Sequence, residues 1–187
     1  PGGMLLRASV ALRRSFQAGL PLVEDPEGCL WIGSTLGLMR LLPDGRLLSF
    51  SMRLSEAGET ITSSNVKADR AGRLWMLHNN GVVVFRPEPV AAAESRALPW
   101  LRLTRQQACM QPGNRIADGK SGSGIPSDLT LAPGEARLLV CTPWSASEAG
   151  LVFHEAADGQ IWIGTDLGLL AFDGTSFRSY TTAQGLT

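Results

Sequence analysis

The sequence predicts an all-β chain of small antiparallel sheets, four strands to a unit, and three observations predict it. Glycine at 21 and proline at 11 in 187 residues are heavy punctuation, which favours many short strands and tight turns over long helices. Around the tryptophans, aliphatic and indole side chains alternate at period two, as in Leu30-Trp31-Ile32 and Ile161-Trp162-Ile163. One segment also recurs at a near-constant interval. Trp31 to Trp75 is 44 residues and Trp75 to Trp162 is 87, about two periods, so one unit between them is degenerate or replaced.

Each element of the unit has a chemical reason. The repeat opens on Asp25-Pro-Glu-Gly28-Cys-Leu-Trp31-Ile-Gly, returns as Asp69-Arg-Ala-Gly72-Arg-Leu-Trp75-Met-Leu, and again as Ala156-Ala-Asp-Gly159-Gln-Ile-Trp162-Ile-Gly. In D-x-x-G the Asp side chain can accept bonds from the backbone of its own turn and the Gly can take positive φ, so the pair closes a hairpin. The strand that follows places aliphatic chains on one face and the indole on the other, so both faces are buried. Six residues past each Trp, Gly37, Gly81 and Gly168 make the next turn, and ten past it stand Leu41, Phe85 and Phe172. Residues 82–85 and 169–172 form the next strand, and 46–50 or 176–181 an outer one. With a preceding strand such as 151–154, four antiparallel strands fit in about 44 residues, the size of a propeller blade. The glycines and the period of two exclude a solenoid of helix pairs.

The string at 24–38, Glu-Asp-Pro-Glu-Gly-Cys-Leu-Trp-Ile-Gly-Ser-Thr-Leu-Gly-Leu, and that at 158–169, Asp-Gly-Gln-Ile-Trp-Ile-Gly-Thr-Asp-Leu-Gly-Leu, resemble the two-component regulator propeller repeat. Residues 176–186 are similar to that repeat's linker, an aromatic outer strand followed by Gly-Leu, and Phe16 with Gly19 and Leu20 echoes it. The resemblance covers 14–90 and 150–187. The second copy departs from it at Leu77, His78 and Asn79, and the third carries Ala156 in the Asp slot. It implies β-propeller blades from the extracytoplasmic sensor region of a bacterial membrane receptor, joined in its parent to histidine kinase or diguanylate cyclase modules. It also implies a non-catalytic role in binding a small molecule or carbohydrate.

Three regions follow: blades over 1–90, a middle over 91–150, and a blade over 151–187. The middle lacks the Trp signature and carries a Gly- and Ser-rich stretch at 118–124. It reads as a decayed blade, the preferred reading, or as an inserted immunoglobulin-like β segment, since 100–104 and 129–140 are similar to strands of the domain that follows the propeller in this family. Four blades at most is the low end for a closed ring, so the expectation is a piece of a longer array. Terminal blades without a closing partner are expected to associate, as a homodimer or with further blades.

Composition bounds the partners. The 17 Lys and Arg cancel 17 Asp and Glu, so net charge attracts neither nucleic acid nor an anionic membrane. Charged residues at 18% are few, against about 25% usually, and 44% are hydrophobic, which supports a packed core and excludes disorder. No apolar run approaches the roughly 18 residues of a membrane span. Residues 4–22 hold Arg7, Arg13 and Arg14 where a signal peptide needs an apolar stretch, and Arg13-Arg14 lacks the apolar residues of a twin-arginine signal, so no export signal is read.

The remaining motifs fall to plainer readings. Cys29, Cys109 and Cys141 show no metal-ligand spacing from each other or from His78 and His154. Cys109 and Cys141 could pair in an oxidising compartment, but three buried thiols are preferred. Gly113, Gly119, Lys120 and Ser121 nearly spell a phosphate loop, with five residues between the glycines instead of four and Ile125-Pro126 where a helix should start. His154-Glu155 is half of HExxH, with Asp158 where the second His belongs. Asp25 and Asp69 read as turn formers, and Trp31, Trp75 and Trp162 as inter-blade packing rather than sugar platforms. His78 takes the place of Ser34 and Thr165 and is a weak ligand-rim candidate. No catalytic residue, metal or cofactor is expected. Two rivals stay open, a metal- and histidine-dependent enzyme similar to the streptogramin lyases and a cytosolic partner-binding propeller.

Overall fold

The computed structural model describes residues 22–34, 37–53, 60–61, 66–78, 81–95, 100–107, 110–112, 129–140, 152–165, 168–173 and 177–186. Most of the described residues are strand, and twelve of the strands form three four-stranded antiparallel blades. The first runs β1 (Leu22–Glu24), β2 (Leu30–Ser34), β3 (Gly37–Leu41) and β4 (Leu47–Arg53), with the short β5 (Thr60–Ile61) beside the end of β4. The second begins β6 (Val66–Ala68), β7 (Leu74–His78) and β8 (Gly81–Phe85). A five-residue helix, α1 (Val90–Glu94), then leads to β9 (Trp100–Gln107), β10 (Met110–Pro112) and β11 (Ala136–Val140). The third blade is β12 (Val152–Glu155), β13 (Ile161–Thr165), β14 (Gly168–Phe172) and β15 (Phe177–Tyr180). The strands expected at 46–50, 82–85, 151–154, 169–172 and 176–181 stand within a residue or so of these bounds, with β4 running on to Arg53.

Among the described residues of 91–150, every strand adds to a blade. β11 pairs antiparallel with β8, from Ala136 opposite Phe85 to Val140 opposite Gly81, and so supplies the second blade's outer strand from 51 residues further along the chain. β9 lies parallel to both β4 and β11, and β10 lies parallel to β15. Arg73, Arg86 and Arg137 donate to the carbonyls of Leu129, Leu131 and Thr130, fixing the approach to β11.

Two apolar cores lie between successive blades. Trp31, Leu38, Phe50 and Met52 of the first meet Leu74, Met76, Val83 and Phe85 of the second. Trp75, Val82 and Leu139 of the second meet Ile161, Ile163, Leu170 and Phe172 of the third. The ring contacts repeat: Trp31 meets Phe85 edge-on at 5.6 Å, and Trp75 meets Phe172 edge-on at 5.7 Å. Trp31 and Trp75 are therefore each wedged against the aromatic residue ten positions past the next indole. Trp31 and Trp75 are fully buried, so each wedge carries several kcal/mol of apolar burial, at about 25 cal/mol per Å².

The glycine after each Trp strand has a stricter reason than its turn. Gly37 sits at φ 113°, and a Cβ there would meet the Phe50 carbonyl oxygen at 2.8 Å. Gly81 and Gly168 crowd the carbonyls of Leu139 and Tyr180 in the same way, so the outer strand rests directly on the glycine backbone. Among the described residues no helix is long and apolar enough to cross a membrane.

Candidate ligand-binding rim

The D-x-x-G turns gather at one rim. In the first blade, Asp25 N donates to the Cys29 carbonyl (3.0 Å), Gly28 N donates to the Asp25 carbonyl (2.9 Å), and Gly28 lies at φ 73°. The second blade repeats this at Asp69, Arg73 and Gly72, and the third at Ala156, Gln160 and Gly159. The turn at 42–46, between β3 and β4, uses the same backbone bonds around Gly45.

What the Asp side chain adds became visible only in three dimensions. Asp25 Oδ1 accepts from Glu27 N and Cys29 N, while Oδ2 accepts from the Trp31 indole Nε1 at 2.8 Å and from Arg40 Nη2. Asp69 Oδ2 likewise accepts from Trp75 Nε1 at 2.8 Å and from Arg73 Nε at 2.6 Å. Each carboxylate thus pins a buried indole and a guanidinium at once, and each guanidinium lies over its own indole, Arg40 at 5.0 Å and Arg73 at 5.7 Å. Ala156 has no side-chain oxygen to offer Trp162, which is only half-buried and meets Tyr180 of its own blade, tilted, at 5.4 Å. Gln160, in the place of Cys29 and Arg73, is buried with no partner for Oε1 among the described residues.

Arg40 is the residue the sequence did not mark. It is 1% exposed and pairs with Asp25 and with Glu27 (2.6 Å), while its Nη1 donates to the Glu88 carbonyl at 2.9 Å, tying the first blade to the segment leaving the second. Burial alone would raise the Asp25 pKa. The Cys29 N–H, the Trp31 indole and Arg40 outweigh it and hold the carboxyl below the ordinary range. Burial would lower Arg40, but Glu27 and Asp25 raise it further. Burial pushes the Cys29 thiol up.

Between the first two turns lies a cleft of about 510 Å³, lined by Val23, Glu24, Asp25, Ala68, Asp69 and Arg70 among others. A second cavity of about 280 Å³ lies beside it, walled by Glu27, Arg40, Arg86, Glu88, Pro89 and Pro133. Glu24 is exposed in the wall of the larger cleft, and Arg70 crosses from it to the third blade, where its backbone N–H donates to Glu155 Oε2 and its guanidinium to the Ala156 carbonyl. Such a rim can bind a polar ligand of modest size through carboxylates, guanidinium groups and backbone. Among the described residues no group of three His, Cys, Asp or Glu side chains is placed to hold a metal.

The other residues marked in the sequence are spread out. His78 ends β7, at the opposite end of the strand from the Asp69 turn, so it belongs to the other rim. His154 is exposed on β12, opposite Trp162. Gly113, Gly119, Lys120, Ser121, Cys109, Cys141 and Phe16, with the segments 1–21 and 118–124, lie outside the described residues.

No family model and no curated protein matches the chain. Among solved structures, the chain is similar to one described as the extracellular domain of the hybrid two component system BT3049 of B. thetaiotaomicron, with TM-score 0.46 and 15% identity, over 88% of this chain and 17% of that one. It is also similar to two described as the extracellular domain of BT4673 from the same organism, one called a one component system and the other a hybrid two component system. Both have TM-score 0.38 and 16% identity, covering 85% and 86% of this chain and 23% and 24% of theirs. The chain therefore spans about a fifth of the length of these solved chains.

Proposed function

We propose that the chain is a non-catalytic ligand-sensing segment of a bacterial membrane signalling receptor, lying outside the cytoplasm. The observation that carries the reading is the repeat: Asp-x-x-Gly-x-φ-Trp units that resemble the two-component regulator propeller, folded as stacked blades with polar turns collected at one rim. The ligand is a small polar molecule or a carbohydrate fragment seated in the cleft between the turns at 25–28 and 69–72. Glu24 and Arg70 supply directional contacts, while Asp25 and Asp69, committed to indoles and guanidinium groups, hold the walls rigid. Binding would then act by drawing the two turns that wall the cleft together.

The partner surface is the Trp162 face. Trp162, Leu169 and Tyr180 occupy the registers of Trp31, Leu38 and Phe50, the set that seats on the next blade in the first interface. A further blade or a second copy fits there.

The test is a thermal-shift screen of the full chain against neutral, acidic and amino oligosaccharides, with each ligand recovered and its mass measured. At a hundredfold excess over Kd a ligand should stabilise by about 2.7 kcal/mol. The reading expects at least one class to raise Tm, to be recovered unchanged, and to lose the effect in Arg70→Ala or Glu24→Gln. Shifts that survive both substitutions but vanish in His78→Ala would move the site to the other rim, and a ligand recovered cleaved would replace the sensor by an enzyme. No shift with any class would sink the reading.

A further inference from the structure

Residues 100–107 and 110–112 pair with the outer strands of all three blades. Trp100, Leu101 and Arg102 pair with Ser51, Met52 and Arg53 of β4. Leu103 to Gln107 then pair with Ala136 to Val140 of β11, and Met110 to Pro112 with Phe177 to Ser179 of β15. All three pairings are parallel, whereas every pairing within a blade is antiparallel, so this stretch is an addition to the blades and not a hairpin continuation of any of them. At about 3.3 Å per residue, Trp100–Gln107 alone spans roughly 25 Å of rim.

We infer that this stretch is a belt that couples the three blades mechanically through their outer strands. The inference stands apart from the sensor reading and needs no ligand. The belt's chemistry fits the task. Leu101 and Leu103 point inward and are buried with Trp31 and Phe85 in the core between the first two blades, while Arg102, Thr104 and Arg105 are exposed and guard the edge against a foreign strand. Arg137 Nη1 donates to Gln106 Oε1 at 2.9 Å, fastening belt to blade by side chains as well. Blades that only stack face to face can shear along their apolar contact. A strand hydrogen-bonded to two neighbouring outer edges cannot follow such a slide without breaking its ladder, so the belt converts face contacts into a cooperative unit.

The test is native-state hydrogen exchange of the full chain, with Leu103→Pro breaking the belt between the first and second blades and Thr104→Val as an outward-facing control. Losing a ladder bond should speed exchange about fivefold in the strands the belt touches. The belt expects that increase in 136–140 and in 51–53, and also in 177–180, which Leu103 does not touch, with none in the control. Faster exchange confined to 136–140 would reduce the stretch to local packing and overturn the inference. Should Leu103→Pro fail to fold, Gln111→Pro decides from the other end. Its ladder partner is Arg178, so faster exchange in 136–140 supports the belt, and a change in 177–180 alone overturns it.

Discussion

The first and third blades close the same turn on different side chains, Asp25 in one and Ala156 in the other. Both close the turn with the same two main-chain bonds, at Asp25 and at Ala156, and both put the glycine near φ 80°. Only the first carries a carboxylate there, and only there is the indole buried, bonded and covered by a guanidinium. The comparison teaches that the Asp of D-x-x-G is not needed to form the turn. Its larger role is to satisfy an indole N–H that would otherwise be buried unpaired, and to anchor a buried cation.

The strongest way to break that comparison is to truncate the two indoles. Trp31→Ala should cost about 3–5 kcal/mol and Trp162→Ala clearly less, measured by denaturant unfolding, because only Trp31 is sealed between two blades. Equal costs would mean that Trp162 is covered as completely as Trp31. Next in size is Asp25→Ala, expected to cost about 2–4 kcal/mol, since it strips an indole acceptor and one partner of the buried Arg40. The double variant Asp25→Ala with Arg40→Met should recover part of that loss, and a strictly additive pair would refute the coupling.

A gain sharpens the comparison further. Ala156→Asp restores the missing acceptor and should stabilise the third blade by about 0.5–1.5 kcal/mol, with a downfield shift of the Trp162 indole proton. A loss of stability would show that the two turns are not equivalent around the indole. The mildest effect is on acid stability. Asp25 has a lowered pKa, so its contribution is present in full above the ordinary carboxylate value near 4 and disappears as pH falls through the lower folded value. Followed by NMR, the Trp31 indole proton should therefore move only below about pH 4, while that of Trp162 stays still. Concerted movement of both would tie the change to global unfolding instead.

The strands of the three blades were legible because each is specified locally. Period-two aliphatics flank each Trp, a positive-φ glycine closes each turn, and a second glycine lies under the outer strand. Arg40 was not legible. Nothing near it in sequence separates it from other arginines, and its partners lie 13, 15 and 48 residues away. Arg73, four residues from Asp69, plays a matching part from a different position, so the guanidinium keeps no repeat register that a search could find. The alternation in Trp100-Leu-Arg-Leu-Thr announces a strand but carries no mark of which edge it will meet.

The sequence by itself determined the repeating unit, its turns and the face on which each indole stands, because backbone conformation and side-chain alternation are set by residues next to one another. Only the tertiary structure decided that β11 completes the second blade, that 100–107 and 110–112 border all three outer edges, and that Arg40 walls the cavity beside the cleft. Those outcomes depend on which unpaired strand edges and buried charges meet across 50 residues or more of chain, and edge hydrogen-bonding groups are the same in every residue but proline.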